Sequence, residues 1–99
     1  MSFHFFVRFE SKPGKEAEFR EELTGMVAVT RTEAGCVSIH AFESLRPPVT
    51  FAIHSEFVDE AAFEFHTGLP HTLRFLPAAE DCLTHPVQGL RTRELCDNR

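Results

Sequence analysis

The chain has 99 residues, 42% of them hydrophobic, and its eleven aromatic residues are all phenylalanine, with no tyrosine or tryptophan. That length supports one domain spanning residues 1–99 and excludes a second. Ten Lys and Arg against fifteen Asp and Glu leave a formal charge of -5, so there is no basic field for a phosphate backbone and no nucleic-acid partner is expected.

Phe3, Phe5, Val7 and Phe9 alternate with His4, Phe6, Arg8 and Glu10, the period of two of a strand. Phe6 makes the second set partly apolar, so this strand is expected to be covered on both faces. Ser11-Lys12-Pro13-Gly14 is turn chemistry. Phe19, Leu23, Met26, Val27 and Thr30 then follow helical spacing, which predicts a helix from about Lys15 to Thr32. Glu16 and Arg20 form an i,i+4 pair on its wet side, and Gly35 is placed to close it in a left-handed conformation.

Two strand-like runs, Cys36 to Ser44 and Val49 to Phe57, are joined by Leu45-Arg46-Pro47-Pro48 and read as a hairpin. Val37, Ile39 and Ala41 share one face of the first run. Phe51, Ile53, Ser55 and Phe57 share one face of the second, with Ala52, His54 and Glu56 opposite. Asp59 is an N-cap for a short helix through Phe63 that ends near Thr67-Gly68. Pro70 suits the first turn of another helical stretch, predicted to break near Pro77. Val87 to Leu95 reads as a closing strand, and Cys96 to Arg99 as a frayed end.

The order β-α-β-β-α-β is the ferredoxin-like split βαβ arrangement: an α+β fold with one antiparallel sheet and helices on one face. The other face would expose a larger apolar patch than a monomer tolerates, so a homodimer is expected. No run approaches the roughly 20 apolar residues of a membrane span, and the N-terminus lacks a signal pattern; a soluble, cytoplasmic protein away from membranes is expected. Cys36, Cys82 and Cys96 are odd in number and widely spaced, which points to reduced thiols that pack rather than bridge.

The tightest cluster of chemistry-bearing residues is His66-Thr67-Gly68-Leu69-Pro70-His71. Its spacing is not the i,i+4 of a helical metal pair, and no spacing selects a third ligand from His40, His54, Glu56 or Cys82, so no metal is expected. An imidazole suits acid/base work at neutral pH; the alternative is that both histidines bond local backbone at a helix break. His54 and Glu56 carry no dyad signal, no G-x-S-x-G elbow is present, and the five glycines include no phosphate loop. No cofactor is therefore expected. The phenylalanine stripes read as core and interface.

The run F-V-D-E-A-A-F-E-F-H-T-G-L-P-H-T-L-R-F from Phe57 to Phe75 resembles the antibiotic biosynthesis monooxygenase superfamily, the dimeric α+β barrels, and in particular its small quinol-monooxygenase-like members. Lys12-Pro13-Gly14, Glu18-Phe19, Glu33-Ala34-Gly35-Cys36 and the proline of the hairpin link extend the resemblance over nearly the whole chain. It implies homodimers whose sheets meet face to face, a ligand cavity between sheet and helices, and oxidation of a small aromatic or quinol compound by molecular oxygen without metal or flavin. On that basis His66 and His71 are the candidate catalytic bases, and Phe57, Ser55, Ile39 and Phe63 the candidate substrate-binding residues. Ser55 and Phe57 stand where many relatives carry glutamate and then tyrosine or tryptophan, and Ile39 where tyrosine is common. Those departures leave a second reading, a non-catalytic dimer that binds a small metabolite. The haem-degrading branch is disfavoured, because its asparagine, tryptophan and axial histidine have no counterparts here.

Overall fold

The structure, a computed structural model, describes residues 2–96. Its elements are β1 (Phe3–Glu10), α1 (Glu16–Thr30), β2 (Cys36–Glu43), β3 (Thr50–Phe57), α2 (Glu60–Thr67), α3 (Pro70–Cys82) and β4 (Gly89–Thr92). The four strands form one antiparallel sheet in the order β2-β3-β1-β4. This is the expected ferredoxin-like α+β fold, with the second crossover made of two helices. Of the expected frayed end, Cys96 is exposed and the rest lies outside the described residues.

The helices cover the face that carries Phe3, Val7 and Phe9 of β1 and Phe51, Ile53, Ser55 and Phe57 of β3, all buried. Phe19 of α1 sits at the centre, with ring centroids 5.0 Å from both Phe9 and Phe51 and 6.2 Å from Phe75 of α3. Such tilted and edge-on contacts suit the quadrupoles of phenylalanine rings. The end of α3 is stitched to the end of β1: Lys12 N donates to the Cys82 carbonyl, Thr84 N donates to the Glu10 carbonyl, and His85 Nε2 accepts from Glu10 N.

Four local expectations are corrected. Helix α3 runs through Pro77 without a break, because Pro77 and Leu73, whose carbonyl loses its partner, both lie on the solvent side while Thr72, Phe75, Ala79 and Cys82 keep the other side packed. Arg20 pairs with Glu43 of β2 through two hydrogen bonds of 2.7 and 2.8 Å, the bidentate geometry that outcompetes an i,i+4 contact with Glu16. Gly35 does not cap α1, which ends at Thr30 with Arg31 as C-cap; Gly14 has the positive φ, 87°. A register shift between Cys36 and Ser38 turns Val37 outward, 54% exposed, and puts Cys36 against the core in its place.

The opposite sheet face carries Phe6, Phe42 and Leu90, each about half exposed or more, with His4, His40 and His54 among them. His4 Nδ1 and His54 Nε2 share a hydrogen bond of 2.8 Å, and the His54 ring stacks on Phe6 at 4.6 Å. Burial pushes the His54 imidazole below its ordinary value, His4 and then His40 push the same way, and Glu56 opposes them. The folded state thus takes up the His54 proton less readily than the unfolded chain, and the stability His54 contributes is present at neutral pH and lost as pH falls below about 6.5. His54→Gln keeps a donor for His4 but does not titrate. The difference in melting temperature between the protein and this variant is expected to shrink from pH 7.5 to pH 5.5; a constant difference would contradict the assignment.

Candidate functional site

Helix α1 ends on a tight turn in which Glu33 N donates to the Thr30 carbonyl and Cys36 N to the Glu33 carbonyl. The Gly35 carbonyl accepts from Val58 N, which ties that turn to the end of β3. A side chain at Gly35 would meet the Ala62 Cβ at 2.7 Å, so the glycine lets the turn lie directly against α2. Asp59 accepts from Ala62 N at 2.8 Å and fixes the start of α2. These contacts set the Glu33 carboxylate beside the far end of α2 and the start of α3.

There Glu33 Oε2 lies 2.8 Å from His66 Nδ1 and 2.6 Å from His71 Nε2. The side chains of Glu33, His66 and His71 are 9, 10 and 11% exposed. A carboxylate only accepts, so both ring nitrogens facing it donate. Thr72 Oγ1 stands 3.4 Å from the same His66 nitrogen. Next to this group, burial and then the Glu33 carboxylate raise the Cys36 thiol, against Arg31, which lowers it.

His66 also lines a cavity of about 140 Å³ between sheet and helices. Apolar walls come from Phe5 and Val7 of β1, Ile39 of β2, Ile53 of β3, Phe63 of α2 and Phe75 of α3. Four polar residues join them: Ser55, His66, Thr67 and Thr72. Thr67 Oγ1 donates to the Glu64 carbonyl and Thr72 turns to His66. Among the described residues, neither the Ser55 hydroxyl nor His66 Nε2 has a hydrogen-bond partner, although Ser55 is 2% and His66 8% exposed. Both residues line the cavity.

Of the residues singled out by sequence, Ser55, Ile39, Phe63 and His66 thus meet at one cavity. Phe57 does not line it; it is buried behind, edge-on to Phe63 at 5.5 Å and 5.2 Å from the His66 ring. His71 does not line it either, lying instead along a groove between α1 and α3 with Glu21, Glu22 and Arg74. The alternative that both imidazoles bond local backbone does not describe the contacts of His66 Nδ1 and His71 Nε2, whose partner is a side chain more than 30 positions away. Glu33 is a site residue that sequence reasoning misses. It appears in sequence only as part of the Glu33-Ala34-Gly35-Cys36 match at the entry to β2, and no spacing relates it to residue 66 or 71.

Glu33 Oε2, His66 Nδ1 and His71 Nε2 lie within 4.8 Å of one another, a donor set of the kind that holds a divalent ion. Donors around one tetrahedral zinc stand about 3.3 Å apart, given bonds of about 2.0–2.1 Å. The separations of 2.6 and 2.8 Å fit shared protons instead.

The family model described as "Antibiotic biosynthesis monooxygenase" matches residues 2–78. The chain belongs to the antibiotic biosynthesis monooxygenase family. It is 32% identical over 81 residues to "Putative monooxygenase YcnE" of Bacillus subtilis, covering 82% of this chain and 85% of that protein. It is 30% identical over 81 residues to "Putative monooxygenase Rv0793" of Mycobacterium tuberculosis, covering 82% and 79%. The solved structure of Rv0793 superposes with a TM-score of 0.90 over the full length of both chains, at 25% identity. SnoaB of Streptomyces nogalater, described as a cofactor-independent oxygenase, shares the fold with a TM-score of 0.85, covering 97% and 95% at 18% identity. No helix among the described residues of this family member is long and apolar enough to cross a membrane.

The close approach of Gly35 to α2 can be tested directly. Gly35→Ala is expected to destabilise the protein by about 1–3 kcal/mol in urea unfolding, the usual cost of forcing atoms into a packed site. Adding Ala62→Gly removes the opposing Cβ, so the double variant should lose less than the sum of the two single changes. Additive losses would show that the contact does not hold the turn.

Proposed function

We propose that the protein is a cofactor-independent monooxygenase that oxidises a single-ring phenol or hydroquinone with molecular oxygen, and that His66 is its base. The observation that carries this reading is the state of the His66 ring. Its Nδ1 is held by a buried carboxylate, which fixes the tautomer, while its Nε2 is unpartnered at an apolar cavity. A phenolic hydroxyl placed there would lose its proton to Nε2. The resulting anion is electron-rich, and in an apolar cavity it is a direct reductant for oxygen. Membership of a family whose relatives carry monooxygenase names, and the description of SnoaB as a cofactor-independent oxygenase, support the same chemistry.

Cavity size narrows the substrate. The volume of about 140 Å³ is close to the roughly 150 Å³ that holds benzene in an engineered protein cavity. One ring with a small substituent fits and a fused polycycle does not. Ser55 offers a hydroxyl to a second oxygen on that ring. Oxygen uptake is expected with monocyclic hydroquinones and not with anthracene-sized ones. His66→Ala should lower kcat/KM by about 100-fold or more, the usual contribution of a positioned general base. Equal rates with and without His66 would sink the assignment.

A second reading is favoured by the scarcity of polar groups: a dimer that binds an apolar metabolite without turning it over. Saturable binding of a hydroquinone with no oxygen uptake would establish it, and turnover would exclude it.

The reading includes a homodimer formed through the open sheet face. Phe6, Phe42 and Leu90 are 47, 59 and 66% exposed on that face, and an apolar patch of this kind is costly in water. Sedimentation at micromolar concentration should give twice the chain mass, and Phe6→Lys with Leu90→Lys should reduce it to one. A folded monomer of the unaltered protein would contradict the pairing.

A further inference from the structure

The Glu33 carboxylate stands between two imidazoles that open on different sides of the protein. His66 faces the cavity, whereas His71 faces the groove between α1 and α3. One Glu33 oxygen accepts from both. A carboxylate buried this deeply requires one compensating positive charge, and two imidazolium ions would leave an excess charge in the same apolar surroundings. One proton more than neutral rings and a carboxylate account for would balance the group. Geometry decides where that proton rests. On His66 it would sit on Nε2, beside a cavity whose other polar side chains are the hydroxyls of Ser55, Thr67 and Thr72 and which carries no carboxylate. On His71 it would sit on Nδ1, along a groove that carries Glu21 and Glu22 of α1 as well as Arg74 of α3.

We propose that His66, Glu33 and His71 form a one-proton unit in which His71 holds the imidazolium that neutralises Glu33, so that His66 stays a free base and protons leave the apolar cavity by exchange. The inference rests on the reading of His66 as base. When His66 Nε2 takes a phenolic proton, the substrate becomes its anion and His66 becomes the imidazolium paired with Glu33. His71 then releases its Nδ1 proton to water in the groove. One proton has entered the unit and one has left, Glu33 stays ionised throughout, and no proton crosses the apolar wall. Product protonation reverses both transfers. His71 is thus a positioning residue: it touches no substrate and acts through Glu33. The other titratable or charged groups around the unit are Cys36 and Arg31 beside Glu33, and Glu21, Glu22 and Arg74 in the groove. The cavity walls from β1 and β3 add none.

The test is a long-range proton–nitrogen NMR spectrum of the histidine rings in the full chain at pH 7, for the protein, His71→Gln and Glu33→Gln. In the unaltered protein His71 should show two protonated nitrogens and His66 only Nδ1–H. Glutamine at 71 preserves a donor to Glu33 but cannot carry the charge, so His66 should become the imidazolium, and the acid limb of the oxygen-uptake profile should move to higher pH. A purely structural role for His71 would be rescued by glutamine, and an unchanged His66 spectrum in that variant would overturn the proposal. Glu33→Gln removes the need for a cation, so His71 should turn neutral; a His71 that stays charged there also overturns it. Spectra that exchange as expected without oxygen uptake in any variant would leave the one-proton unit standing and remove the catalytic reading. Turnover that depends on His66 while its charge ignores His71 would do the reverse.

Discussion

A carboxylate more than nine-tenths buried must be neutralised where it stands, and the site is organised around that demand by Glu33. The residues that deliver it are not chemical. Thr30 and Cys36 close its turn through backbone hydrogen bonds, Gly35 lets the turn meet α2, and Asp59 sets where α2 begins. Once Glu33 is in place, His66 and His71 each commit one nitrogen to it and each keeps the other for a different environment. Helix geometry alone would not hold two imidazoles five positions apart in register, with Gly68 and Pro70 between them. The shared oxygen does.

The two faces of the sheet use histidine in opposite ways. On the open face His4 and His54 share a hydrogen bond, and the His54 ring stacks on Phe6 and is pushed toward the neutral form by burial and then by His4. Glu94 reaches His4 only at 4.0 Å and is largely exposed. That arrangement favours apposition of apolar surface at neutral pH, because the His54 ring brings no charge to desolvate. On the helical face a buried carboxylate stands within hydrogen-bond distance of both rings. The same side chain therefore stacks against apolar surface in one place and pairs with an acid in the other.

Periodicity makes the architecture legible. The alternation in β1 and β3 and the 3.6-residue spacing of Phe19, Leu23, Met26 and Val27 lead directly to the sheet face and the helix face that meet. What periodicity misses are events that break its own rule or involve only one element's exposure. The bulge at Val37 inverts a face by one residue, and Pro77 is tolerated because its missing donor faces water. His66, Ser55, Ile39 and Phe63 can be found because a family pattern places them. Glu33 falls within the family pattern too, as part of Glu33-Ala34-Gly35-Cys36, but its role does not show there, because it comes from tertiary contacts with His66 and His71 rather than from its neighbours in sequence. The same family pattern assigns Phe57 to the cavity wall, yet the strand ends there and its ring packs against Phe63 and His66.

An aromatic complement made wholly of phenylalanine acquires a specific meaning in this setting. The rings of Phe5, Phe63 and Phe75 give the cavity its walls without adding a donor or acceptor, and the two threonines that reach it are already bonded. A tyrosine at position 57 would bury a hydroxyl within about a ring's breadth of His66, and a buried hydroxyl takes whatever partner is near. With phenylalanine there, no such hydroxyl competes for His66 Nε2. On the proposed reading, the absence of polar handles on the walls leaves the second nitrogen of His66, with the Ser55 hydroxyl, to orient an entering oxygen. Such a cavity would discriminate by ring size and by the placement of two polar atoms, and by little else.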